Sequence, residues 1–172
     1  METAEGDCLF KPAWHLNDPA IVRDVKRFWA EAGLTPAMIG NRANEICAVA
    51  YRGEELVAVS TASLFYDPSM RAKFLGYRCM VAPHVRQQNL AWMLSAFSLK
   101  ILQDWSVRHR EERALGLMIC VETDKFEVGL RKPVREKLGF TMHFVGYTAT
   151  GHQLRVVWFD HAELDDHAVH PL

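Results

Sequence analysis

Two periodicities alternate along the chain from residue 18 onward. Asp18-Pro19 opens a helix, with an acid at the N-cap and a proline that suits the first turn. Ile21, Val22, Val25, Phe28 and Trp29 then recur at the spacing of one helical face, and Gly33 closes the segment. Thr35-Pro36 repeats the opening for a shorter helix running towards Arg42. The pattern then changes to strands. Residues 46–51 and 56–65 are rich in Val and Ala, and Arg52-Gly53-Glu54-Glu55 between them predicts a β-hairpin. Asp67-Pro68-Ser69 breaks the chain before an apolar strand over 74–81, which ends at Pro83 because proline has no amide to give a ladder.

Residues 90–105 predict a long helix, apolar on nearly every face (Leu90, Ala91, Met93, Leu94, Phe97, Leu99, Ile101, Leu102) and so covered on more than one side. The unbroken apolar run 115–121 suits a strand in the interior of a sheet. A short helix over 133–138 and strands over 141–148 and 154–159, turning near Thr150-Gly151, complete the series. This order predicts a mixed α/β (α+β) sheet protein. It reads as a single domain over 1–172, with its core at about 9–160 and a solvated, acidic and His-rich tail from His161.

Composition narrows the function classes. Apolar residues at 49% and charged residues at 24% are ordinary globular values. A net charge of −1 argues against a general nucleic-acid binder. No apolar run spans a membrane and the first residues are acidic, so the expectation is a soluble cytoplasmic protein. Cys8, Cys47, Cys79 and Cys120 are widely spaced in apolar surroundings and read as reduced core residues. No metal site is expected; His161, His167 and His170 with Asp165 and Asp166 read as an incidental tail cluster.

One local anomaly carries chemistry. No Asp or Glu occurs between Asp67 and Asp104, a stretch that holds Arg71, Lys73, Arg78, Arg86 and Lys100. In its middle, Val81-Ala-Pro-His-Val-Arg-Gln-Gln-Asn-Leu-Ala91 joins the apolar strand to the apolar helix. A helix N-terminus leaves backbone N–H groups unpaired and carries partial positive charge, so phosphate oxygens bind there. Arg86 adds a permanent cation that can fork onto phosphate.

This junction resembles the cofactor-binding motif of the GNAT superfamily of acyl-CoA-dependent N-acyltransferases. Val81, Pro83, Arg86, Gln87 and Ala91 fit the motif, while Asn89 stands where the family usually has Gly. Arg135-Glu-Lys-Leu-Gly-Phe140 is similar to the Leu-Gly-Phe that ends the family's fourth helix before its sixth strand. The resemblance implies a central, mostly antiparallel sheet with splayed central strands and flanking helices. It implies acetyl-CoA, or another acyl-CoA, as co-substrate. The main chain of Cys79, Met80 and Val81 would pair with the pantetheine arm, and Arg86 with the amides of Gln87, Gln88, Asn89, Leu90 and Ala91 would hold the pyrophosphate. Direct attack by a primary amine, from a small molecule or a peptide, would follow.

The proton carriers are less well specified. Arg135 occupies the position of a Tyr acid found in many family members, and Leu75-Gly76-Tyr77-Arg78 offers no Glu base. Glu122 and Tyr147 are the candidates, and His84 reads as an exposed loop residue near the phosphates. Trp29 and Arg42 are the candidate acceptor contacts, suited to an amine with an apolar body and a carboxylate, and no strongly acidic pocket is evident. The apolar strand Val156-Val157-Trp158-Phe159 suits pairing of two copies, so a homodimer is an expectation. The alternative is a catalytically inactive module of the same fold that senses acyl-CoA. A Rossmann-type enzyme is disfavoured, since no Gly-x-Gly-x-x-Gly is present.

Overall fold

A computed structural model describes residues 8–85, 89–121 and 128–164. They group into two compact units, one drawn from Met1–Ala62 and Arg78–Leu102, the other from Ser63–Tyr77 and Gln103–Leu172.

In the first unit, α1 (Pro19–Glu31) starts where Asp18 Oδ1 accepts from the amides of Ala20 at 2.8 Å and Ile21 at 3.3 Å. α2 (Pro36–Arg42) starts at Thr35, whose Oγ1 accepts from Met38 N at 3.4 Å. β1 (Leu9–Pro12), which the sequence pattern does not predict, pairs antiparallel with β2 (Ile46–Arg52). β2 turns into β3 (Glu55–Asp67) through the expected hairpin, with Arg52 opposite Glu55 and Gly53 at φ +59°. Ile21, Val25 and Trp29 of α1 form one core cluster with Ile46, Val49, Tyr51, Leu56 and Val59.

β4 (Ala72–Val81) leads through a short 3-10 turn towards α3 (Leu90–Arg108). Successive strand residues point to opposite faces of a sheet. Val59 faces α1, and the next residue, Ser60, meets Ser98 of α3 with their hydroxyl oxygens 2.8 Å apart. Helices therefore cover both faces of these strands. Within this unit the fully buried positions of α3 are Leu90, Leu94, Ser98 and Leu102, one row at every fourth residue. The expected covering on several sides is thus only partial: Phe97 and Leu99 are half-buried and Met93 is exposed.

The second unit is built on β5 (Ala114–Val121), β6 (Val134–Lys137), β7 (Phe140–Tyr147) and β8 (Gln153–Trp158). Lys73–Tyr77 of β4 runs parallel to β5, while β5–β8, β8–β7 and β7–β6 are antiparallel. The hydrogen-bonded strand order is β1-β2-β3-β4-β5-β8-β7-β6, a mixed α+β fold with a mostly antiparallel sheet. Phe74, Met118 and Val156 form this unit's core cluster. β5 and β8 lie so close at Gly116 that a Cβ there would sit 2.2 Å from the Val157 carbonyl oxygen.

Two sequence readings change here. Residues 133–138 do not form a helix, since Val134–Lys137 is a strand. Leu138 (φ 49°) and Gly139 (φ 80°) both take positive φ, as the central pair of a tight hairpin turn requires, with Lys137 facing Phe140 across it. Leu-Gly-Phe therefore reverses a hairpin rather than ending a helix. The strand on which the homodimer expectation rests is interior, flanked by β5 and β7, and Val156, Val157 and Phe159 are buried. Among the described residues, no helix is long and apolar enough to cross a membrane.

Candidate functional site

At the end of β4 the main chain changes course under tight control. The Ala82 amide donates to the Val57 carbonyl at 2.8 Å, tying the exit of β4 to β3. The Val85 amide donates to the Ala82 carbonyl at 3.1 Å and closes the turn Pro83–Val85, with the Val85 side chain fully buried beneath it. The chain enters α3 at Asn89, whose carbonyl accepts from Met93 N at 3.0 Å. Asn89 has φ 55°, in the left-handed region that glycine favours and that asparagine tolerates best among the other residues. The backbone shape that glycine would supply is therefore present without it.

The expected cofactor residues divide by position. Val81 and Leu90 are buried, Cys79 and Met80 are half-buried, and Asn89 and Ala91 are exposed. Arg86, Gln87, Gln88 and Glu122 lie outside the described residues. Leu90 turns its side chain inward, so any outward contribution from it comes through its backbone.

Beside the β4 exit the first unit holds a cleft of about 540 Å³. It is lined by Asp24, Arg27, Phe28 and Glu31 of α1, Glu55 and Leu56 of β3, Met80 of β4 and His84 of the turn. Its floor is apolar and its rim carries three carboxylates against one guanidinium and one imidazole, more acidic than the sequence suggests. Asp24 is already engaged: the Tyr51 hydroxyl donates to Oδ2 at 3.0 Å, and Arg23 and Arg27 each approach Oδ1 at 3.5 Å. Burial, reinforced by the Asp24 carboxylate, pushes the Tyr51 pKa up to about 12. Glu55 Oε1 lies 3.2 Å from His84 Nε2.

Trp29 is only 2% exposed and belongs to the core, while its neighbour Phe28 lines the cleft. Arg42 ends α2, half-buried and apart from the cleft-lining residues; the guanidinium on the rim is Arg27. Tyr147 ends β7 in the second unit, 64% exposed, with its ring 5.0 Å from that of Phe144. Sequence reasoning missed Asp24, Glu31 and Glu55 as cleft residues. The signal available was the polar row Asp24, Arg27, Glu31 along α1, next to its apolar face. Among the described residues, no group of His, Cys, Asp or Glu could hold a metal ion.

No family model and no curated protein sequence matches the chain. Solved structures do. The ribosomal-protein-S18-alanine N-acetyltransferase of Escherichia coli aligns over 94% of this chain and 98% of its own, at 12% identity and a TM-score of 0.53. A GNAT-family acetyltransferase of Streptococcus pneumoniae aligns over 88% and 97%, at 10% identity and a TM-score of 0.52. Ard1 of Thermoplasma volcanium aligns over 88% and 95%, at 16% identity and a TM-score of 0.50. At such identities what is shared is the chain path, and by that measure this protein has the GNAT acetyltransferase fold.

Proposed function

We propose that the protein is an N-acetyltransferase, moving an acetyl group from acetyl-CoA to a primary amine by direct attack. The observation that carries the reading is the junction from β4 into α3 on this fold, with Asn89 holding the left-handed conformation at the mouth of the helix. In this reading Arg86 and the amides of Gln87, Gln88, Asn89, Leu90 and Ala91 hold the pyrophosphate. The main chain of Cys79, Met80 and Val81 pairs with the pantetheine arm, and an amide near Met80 stabilises the tetrahedral oxyanion. Attack then needs near-attack geometry and the removal of protons, with no covalent enzyme intermediate.

The cleft beside β4 supplies the acceptor site: Phe28, Leu56 and Met80 accommodate an apolar body, and the acidic rim suits a cationic amine, small molecule or peptide. Trp29 takes no direct part, and Arg42 remains a candidate for a more distant part of the acceptor. Tyr147 stands as a candidate acid for the leaving thiolate, and Glu122 as a candidate carboxylate that relays an ammonium proton through water. A cytoplasmic location goes with the reading, since acyl-CoA is an intracellular co-substrate.

Calorimetric titration with acetyl-CoA tests it: saturable binding is expected, lost in Arg86→Glu. Thiol release across a panel of primary amines separates a transferase from an acyl-CoA sensor, which would bind and release nothing above background. Absence of binding ends both readings.

A further inference from the structure

We infer that His84 is the general base of the cleft, with Glu55 positioning it, and that the acceptor is an amine arriving as its ammonium ion. The inference rests on the transferase reading above. Its basis is the 3.2 Å contact between Glu55 Oε1 and His84 Nε2 on the wall of the 540 Å³ cleft. When Nε2–H donates to the carboxylate, Nδ1 is left as the acceptor nitrogen, and Nδ1 has no partner among the described residues. A carboxylate that fixes the tautomer and ring orientation of a proton-accepting histidine is a recurrent catalytic arrangement.

Both residues sit on rigid supports. His84 lies in the turn held by the Ala82–Val57 and Val85–Ala82 hydrogen bonds, and Glu55 is the first residue of β3, paired with Arg52. Both side chains keep more than half of their surface open (54% and 58%), so a proton taken up at Nδ1 can pass on to water.

The other groups on the cleft are less suited to the task. Asp24 already accepts from Tyr51 and is flanked by two arginines. Glu31 is a carboxylate, poorly matched to an ammonium proton near neutral pH, where imidazole operates best. β4 contributes Met80 and Val81, which do not titrate. The charged groups facing His84 are thus Glu55 from β3 and Asp24, Arg27 and Glu31 from α1. Their acidic excess draws in an ammonium ion.

The step balances as follows. Nδ1 takes one proton from R–NH3+. The freed nitrogen lone pair attacks the thioester carbonyl carbon, forming the C–N bond as the C=O electron pair moves to oxygen. Collapse of the oxyanion breaks the C–S bond, and the departing thiolate takes the second nitrogen proton. His84 then returns its proton to water, leaving amide, thiol and one proton in solution.

The test combines acetyl-CoA calorimetry with thiol release by wild type, His84→Gln and Glu55→Gln. The probes are a panel of primary amines that includes phenethylamine, an ammonium ion at pH 7, and aniline, already neutral there. Gln at 84 can still donate to Glu55 but cannot take a proton. We expect His84→Gln to bind acetyl-CoA as wild type does and to lose kcat with phenethylamine by about 100-fold. The acidic limb of its pH profile should vanish, and its loss with aniline should be far smaller. Glu55→Gln should cost about tenfold in kcat with phenethylamine, far less with aniline, and keep the acidic limb. Wild-type turnover that His84→Gln leaves intact overturns the inference and spares the transferase reading. Loss of acetyl-CoA binding in His84→Gln also overturns it, making the residue a cofactor contact. A wild type that binds acetyl-CoA yet releases no thiol from any amine brings down the transferase reading and the inference together.

Discussion

The two units are held together by different means. In the first, α1 and α3 cover opposite faces of the strands, and the α1 side is a cluster around Trp29, Val25 and Val59. The second has a smaller apolar cluster and a buried cation. Arg155, 1% exposed, donates from Nη2 to the carbonyls of Leu130 at 2.6 Å and Lys132 at 3.0 Å, and from Nε to Gln153 Oε1 at 3.0 Å. Stability in the first unit thus follows the pattern of apolar side chains. In the second it leans on main-chain carbonyls and on the absence of a side chain at Gly116, neither of which shows as an apolar pattern.

The strongest test of this contrast is Trp29→Ala, which should cost about 4 kcal/mol through lost burial and a cavity. Urea unfolding gives the magnitude, and hydrogen exchange shows where protection falls. If protection in β5, β7 and β8 falls as far as in β2 and β3, the units unfold as one and the contrast fails. Arg155→Met comes next, at about 3 kcal/mol, because it strands the buried Leu130 carbonyl and the part-buried Lys132 carbonyl without this donor. The exchange loss should centre on β7 and β8, and a Met variant as stable as wild type would remove the buried cation from the account.

Gly116→Ala should cost about 2 kcal/mol, since β5 and β8 must part to admit the methyl group. A thermal melt reads it; an unchanged Tm would mean that the β5–β8 approach relaxes freely. The smallest effect sharpens the first unit. Tyr51 keeps its proton to about 12 when folded and loses it at about 10 when unfolded, so between those values the unfolded chain binds fewer protons. Stability should therefore fall as pH rises from 10 towards 12, and Tyr51→Phe should flatten that fall. Burial likewise holds the Cys47 thiol up at about 12, so part of the slope survives in the Phe variant.

What was legible in the sequence follows the same division. Asp18-Pro19 and Thr35-Pro36 announced their helices because a capping oxygen and a proline act locally. The β2–β3 hairpin and the β4–α3 junction were legible for a similar reason: Gly53, Pro83 and Asn89 each constrain their own backbone. β1 was not legible, since three of its four residues are exposed and its pairing with β2 is a tertiary fact. β6 was misread because Arg135, Glu136 and Lys137 have no apolar period, and a leucine at positive φ in position 138 is uncommon. The cleft was invisible for a third reason. Asp24, Glu55 and His84 belong to three separate elements, and only folding brings them to one cleft.

The charges that hid β6 from a reading of the sequence also act on its surroundings. Among the described strands β6 stands last in the order, beside β7, and a strand at the end of a sheet is the place where a foreign strand can add on. Any foreign strand docking there would have to accommodate arginine, glutamate and lysine in succession over a run of four residues. The border of the sheet is thereby guarded against runaway self-association, a protection that a more apolar and more readable strand would have surrendered.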